Sequence, residues 1–218
     1  MSSLFTLLPE WPAFSTFLLA SLAVGASPGP GMMFAVARSL EQGRAAGAVS
    51  VLGLSAGSLT WCFAGAFGVA ALIAASPLAF SALRYFGAAY LVYLAGRTLL
   101  SQNQPLAEAG QKKRKDPAMR LFTQAFATNL MNPKSVLFYL AFVPQFTDPE
   151  RGSVIAQFLL LGIIFNITGN SINMMVALFF GHIGEWLNAH PSVWRVQKWF
   201  TATVFCGIAA HLVFAPRN

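Results

Sequence analysis

Charge is what this 218-residue chain has least of. Only 10% of its residues are charged, whereas 56% are hydrophobic. A soluble domain carries about 25% charged residues, so too few polar groups are present to cover a soluble globule. Disorder is excluded by the same balance, because disordered chains combine low hydrophobicity with high charge. Cysteine is scarce as well. Cys62 and Cys206 lie far apart in apolar runs, which excludes a disulfide framework and any metal-ligand spacing. No Lys or Arg precedes the apolar run that starts near Phe14, the first basic residue being Arg38. A cleaved signal peptide is therefore not expected, and the first apolar helix should be retained, with Trp11 at a membrane interface. The remaining class is an integral membrane protein built as one bundle.

Acidic residues are fewer still. The seven are Glu10, Glu41, Glu108, Asp116, Asp148, Glu150 and Glu185, and all fall in loops or near the ends of apolar runs. A buried carboxylate relay is thereby excluded, and so is an acid-ringed cation channel. No nucleophile, base and acid trio stands inside an apolar run, so an enzyme is not expected. No cofactor or metal is implied.

What is present is apolar sequence cut into spans. A spanning helix needs about 20 mostly apolar residues. The run 11–37 holds span 1. The run 45–83 is cut by Ser76-Pro77 and holds span 2 and the start of span 3, which continues to about residue 100 with Arg84 and Arg97 snorkelling to opposite interfaces. Span 4 covers 121–146 and contains Lys134, span 5 lies within 152–184, and span 6 covers 199–214. Five spans remain open if the third is interfacial. The expected fold is an all-α polytopic membrane protein in one domain, 1–218. It divides into three-helix halves, 1–100 and 120–218, joined by a basic cytoplasmic linker, 101–119.

The net charge of +7 is a matter of topology rather than nucleic-acid binding. Ten basic residues fall on one side: Arg38, Arg44, Arg97, Lys112, Lys113, Arg114, Lys115, Arg120, Arg195 and Lys198. Three, Arg84, Arg151 and Arg217, fall on the other. Basic residues mark the cytoplasmic side, which places both termini outside the cytoplasm. With three spans each, the halves would be inserted in opposite directions.

Both halves carry a break near the middle of their first span. In span 1 it is Ser27-Pro28-Gly29-Pro30-Gly31, and in span 4 it is Asn132-Pro133-Lys134-Ser135. Each proline removes a backbone N–H and clashes with the preceding turn. In hydrocarbon the freed groups must be satisfied by protein or by a polar cavity. Interrupted helices at matching positions of two halves point to a transporter's substrate site. The half-helix starting near Pro30 would aim free N–H groups at the midplane, which suits a carboxylate. A packing kink is the alternative.

Lys134 is the one basic residue in mid-span. A charge there costs about 2.5–3.5 kcal/mol on insertion scales and is usually functional. It either meets a substrate carboxylate or titrates, or it caps the carbonyls freed at its own Asn132-Pro133 break. Asn166, Asn170 and Asn173 recur at i, i+4 and i+7 and form one face of span 5, with Thr168 and Gly169 alongside. The stripe reads as a path-lining face, although any single Asn could equally join helices by hydrogen bonds. Asn129 precedes the second break. His182 and His211 lie near span ends, and only histidines have an unperturbed pKa near neutrality. His211 thus joins Lys134 as a candidate for proton coupling. The twenty phenylalanines read as lipid-facing and packing bulk.

At these breaks the sequence resembles the lysine-exporter (LysE)/RhtB family of amino-acid exporters. Ser27-Pro28-Gly29-Pro30 looks like that family's PGP motif. The likeness continues through Arg38-Ser39-Leu40-Glu41-Gln42-Gly43-Arg44, Gly53 and Gly57, Gly87-Ala88-Ala89-Tyr90-Leu91, Asn129-Leu130-Met131-Asn132-Pro133-Lys134 and Phe142-Val143-Pro144-Gln145-Phe146. It implies a bacterial plasma-membrane exporter of amino acids or close relatives, driven by the proton gradient. Many family members carry an aspartate after the glycine where this chain has Gly57-Ser58. Without that carboxylate, a neutral zwitterion or weak acid is the expected substrate rather than a dication. The partners implied are an amino-acid-like solute, protons and the bilayer, and a homo-oligomer is compatible with the sequence. Two other classes compete. One is a membrane thiol or electron carrier using Cys62 and Cys206, although neither stands at a break. The other is a small-solute channel.

Overall fold

The computed structural model describes residues 6–100, 116–189 and 191–214, and every regular element among them is helical. The first half begins with α1 (Trp11–Ala26) and α2 (Pro30–Gln42), a pair bent by 48°. The bend has a local cause. Pro28 and Pro30 have no N–H to continue a helical ladder, Ser27 turns extended, and Gly29 is fully extended. Gly43 follows with φ +97°, a region that favours glycine, and acts as a one-residue turn into α3 (Arg44–Ala75). Extended Ser76 ends α3, and α4 (Pro77–Leu100) starts on the next proline.

The second half runs through a similar series. Helix α5 (Ala118–Leu130) stops at Met131-Asn132, and α6 (Pro133–Leu137) resumes with proline in its first turn. It then loosens into a π turn (Phe138–Phe142) and a 3-10 turn (Val143–Phe146). A second positive-φ glycine, Gly152 at +115°, leads into α7 (Val154–Ala189), followed by α8 (Pro191–Phe214). At about 1.5 Å per residue, α3 with 32 residues and α7 with 36 each exceed the roughly 30 Å hydrocarbon core. Arg44–Leu72 and Val154–Phe179 are long and apolar enough to cross a membrane, and the bent α1–α2 pair passes the same test as a broken span. The fold is that of an all-helical polytopic membrane protein.

Several expected boundaries move. Arg38 and Glu41 stand inside α2 rather than in a loop, because a helix end tolerates charges that reach the interface. Helix α8 starts at Pro191, eight residues before the expected start, so Arg195 and Lys198 lie on its first turns. Most of the basic linker, 101–115, lies outside the described residues.

Helix α3 packs against α5 and α7, α4 against α8, and α1 against α7. Close crossings depend on glycine. A Cβ on Gly53 would collide with the Phe122 carbonyl, and one on Gly57 would lie 2.8 Å from the Phe126 carbonyl oxygen. The phenylalanines are not uniform bulk: Phe17, Phe138, Phe142, Phe146, Phe158 and Phe165 are buried together in the main core. Phe138 stacks on Phe165 with ring centroids 3.7 Å apart.

Polar tethers join the halves at both ends of the broken helices. At one end Arg38 pairs with Glu41 (3.0 Å) and Asp116 (3.6 Å), and donates to Gln124 Oε1 (3.3 Å). Gln42 there accepts from the Asp116 N–H (2.7 Å) and donates to its carboxylate (3.0 Å). At the other end Arg151 binds Asp148 (3.0 Å) and donates to the Leu8 carbonyl (3.2 Å). Buried Gln157 accepts from the Asp148 N–H (2.9 Å) and donates to the Asp148 carbonyl (2.8 Å). Each end thus has a glutamine holding an aspartate that also binds arginine.

Candidate functional site: a polar cavity between the two helix breaks

Each break frees carbonyls that hydrocarbon cannot satisfy, and their partners come from elsewhere in the chain. Lys134 Nζ donates to Val24 O (3.0 Å) in the last turn of α1 and to Ser27 O (2.9 Å) just past its end. It does not cap its own break. That role falls to Asn132, whose Oδ1 accepts from the Lys134 N–H (3.1 Å), and to Trp61, whose indole N–H donates to Leu130 O (3.1 Å). Gly29 lets the ammonium approach, since a Cβ there would sit 3.3 Å from Lys134 Nζ. Of the alternatives for Lys134, capping its own break is not what it does: the lysine beside the second break closes the first.

A cavity of about 50 Å³ opens where the breaks meet. Its polar lining is Ser58, Asn129, Asn132, Lys134, Ser135, Asn170 and Asn173, and its apolar lining includes Val24, Met32, Leu54 and Phe165. Gly25 and Gly31 from the first break and Gly169 from α7 complete the wall. That volume is well below the about 300–1,000 Å³ of small-molecule sites.

Of the residues singled out in the sequence, Gly31, Asn129, Asn132, Lys134, Asn170 and Asn173 line this cavity. Ser27, Pro28, Gly29, Pro30 and Pro133 build the breaks around it without lining it. The asparagine stripe splits. Asn166 turns to α3, accepting from Ser55 Oγ (2.8 Å) and donating to Ser55 O (3.0 Å), so it joins helices rather than lining a path. Asn170 donates to Asn166 O (2.9 Å) and reaches the cavity with Asn173. The His211 side chain lies outside the described residues. Cys62 is buried, Cys206 is exposed on α8, and neither lines the cavity.

Sequence reasoning did not assign Ser135 or Phe165 to the site and treated Ser58 only as a departure from a pattern. Ser135 was adjacent in sequence to Lys134, a usable signal. Ser58 is buried and shares a 2.9 Å hydrogen bond with Tyr139, whose hydroxyl donates to Gly162 O (3.1 Å). Partners 81 residues apart leave no local signature.

Two interrupted helices that meet at a polar cavity, the free end of one closed by a side chain of the other, characterise a membrane transport protein. The LysE type translocator family model matches residues 22–215, and the chain belongs to that family. It is an integral membrane transport protein and not an enzyme. An uncharacterized membrane protein of Pseudomonas aeruginosa is 33% identical over 210 residues, covering 93% of this chain and 95% of that relative. A leucine efflux protein of Enterobacter sp. is 28% identical, covering 91% and 94%. Another from Klebsiella pneumoniae is 26% identical, covering 91% and 93%. No solved structure matches the chain.

Proposed function

We propose that this protein is a secondary exporter of neutral, leucine-like amino acids in the bacterial plasma membrane, working by alternating access about its two broken helices. The single observation that carries the reading is the cavity where the breaks meet, lined by Lys134, Asn129, Asn132, Asn170 and Asn173. Relatives named for leucine efflux align over nine-tenths of the chain. Among the described residues no carboxylate lines the cavity, which favours a zwitterion over a cationic amino acid, because nothing described there would balance a second positive charge.

The halves are read as inverted three-helix repeats forming six spans, with both termini outside the cytoplasm. Support comes from the matching series of a broken helix, a positive-φ glycine, a helix longer than 30 residues and a proline-initiated helix of 24 residues. The two tether clusters, around Asp116 and around Asp148, then serve as gates that open in turn. Driving force comes from the proton gradient, with Lys134 or His211 as the coupling group. A protonophore should abolish accumulation against a gradient.

The test is export of a panel of labelled amino acids from a strain overproducing the protein. Leucine and its neutral neighbours should leave fastest. Preferential export of lysine or arginine would overturn the substrate assignment.

A further inference from the structure

Two sets of polar atoms in the cavity differ in sign. On the wall formed by the first break stand donors. Lys134 Nζ carries three protons and commits two, to Val24 O and Ser27 O. At the start of α2, a 13-residue helix, the first ladder bond runs from Met33 N to Gly29 O, so the N–H groups of Gly31 and Met32 lie outside the ladder. Both residues line the cavity.

On the wall formed by α3 and α5 stand acceptors. Asn129 is nine-tenths buried and lines the cavity, and its buried Oδ1 has no hydrogen-bond partner among the described residues. An unpartnered buried acceptor is costly, and a ligand donor would relieve that cost. Ser58 supplies the second acceptor. Either hydroxyl can donate in the Ser58–Tyr139 bond; with the Tyr139 proton on Gly162 O, Ser58 gives its own proton to Tyr139. The Ser58 oxygen then faces the cavity as an acceptor only.

We propose that the cavity is a bipolar seat that fixes the direction of an α-amino acid. The carboxylate lies against the Gly31 and Met32 amides and the third Lys134 proton, and the α-ammonium lies on Asn129 Oδ1 and Ser58 Oγ. This inference rests on the exporter reading and deepens it: Asn129 and Ser58 become specificity-determining residues that demand an ammonium group. A solute lacking either charged group leaves one wall unsatisfied and is rejected.

The test is competition against labelled leucine counterflow in proteoliposomes of the full-length protein. The competitors are isoamylamine, which lacks the carboxylate, and 4-methyl-2-oxopentanoate, which lacks the ammonium. Both should compete at least tenfold more weakly than leucine with the unmodified protein. Asn129→Leu should weaken leucine itself at least tenfold. Asn129→Asp keeps the shape and the acceptor oxygens and adds negative charge, so isoamylamine should compete at least tenfold better than with the unmodified protein. It also preserves the test if Asn129→Leu does not fold. Leucine-like competition by the oxo acid, or no gain for isoamylamine in Asn129→Asp, overturns the proposal while leaving the exporter reading intact. Absence of leucine counterflow in the unmodified protein, with another class of solute exchanged, overturns both.

Discussion

Lys134 Nζ lies 2.9 Å from the carbonyl oxygen of Ser27, across 107 positions of sequence. One broken helix thereby closes the free end of the other. Losing the ammonium would leave two carbonyls, those of Val24 and Ser27, without a donor in a largely apolar setting. At about 1–3 kcal/mol for each orphaned group, Lys134→Ala should lower the melting temperature in detergent and abolish transport. Lys134→Arg should lose transport too, because a planar guanidinium is larger and differently shaped than an ammonium, and Gly29 leaves little room. Uptake into inverted vesicles alongside thermal melting separates the two effects. Arginine function close to that of lysine would show that only charge matters there.

Gly29 gives a graded version of the same test. Its backbone is extended, with φ −155°, so alanine meets no conformational penalty. The new methyl would sit 3.3 Å from Lys134 Nζ, forcing the ammonium to give by a few tenths of an ångström. Gly29→Ala should slow transport several-fold with the melting temperature nearly unchanged, and Gly29→Val should abolish it. Initial rates in vesicles, normalised to protein content, measure this.

Helix contact predicts the opposite pattern for two other glycines. Gly53 lies against the Phe122 carbonyl, backbone that cannot yield, whereas Gly68 has nothing within 4 Å. Gly53→Val should prevent recovery of monodisperse protein. Gly68→Ala should be tolerated or stabilise by up to about 1 kcal/mol, the helix-propensity difference between the two residues. Size-exclusion profiles and melting temperatures of the pair provide the comparison.

The ion pair of Asp148 with Arg151 sets a pH dependence. A hydrogen bond from Arg151 and another from the Glu150 N–H hold the Asp148 carboxyl below the usual carboxylate range. A depressed acid stabilises the fold above its unfolded pKa, and that contribution is lost as pH falls through the lowered folded value. Asp148 should therefore contribute a constant term to stability from pH 5 to 8 and lose it only in stronger acid. Thermal melts across pH 3–8 should show a steeper acid limb for the unmodified protein than for Asp148→Asn. Transport by Asp148→Asn should keep the unmodified protein's pH profile between 5 and 8.

Much of this was legible in the sequence because it is local. Prolines and glycines at 28–31 and 132–133 break helices wherever they occur, so both interruptions and the Ser76-Pro77 division could be read directly. Charge-counting misplaced the ends of α2 and α8, since Arg38, Glu41, Arg195 and Lys198 are compatible with a helix whose end reaches the interface. Periodicity put Asn166, Asn170 and Asn173 on one face but could not say that Ser55 would claim Asn166. The partners of Lys134, Ser58 and Gln42 lie 74 to 110 residues away. Such pairings are set by packing of the whole bundle, and no local pattern encodes them.

Carrier exchange is the central claim, and counterflow measures it most directly. Proteoliposomes loaded with unlabelled leucine and diluted into a trace of labelled leucine should accumulate label transiently above equilibrium. A protonophore should leave this exchange intact, and Lys134→Ala should remove it. Label that only equilibrates, at the same rate with or without internal leucine, would identify a pore and contradict alternating access.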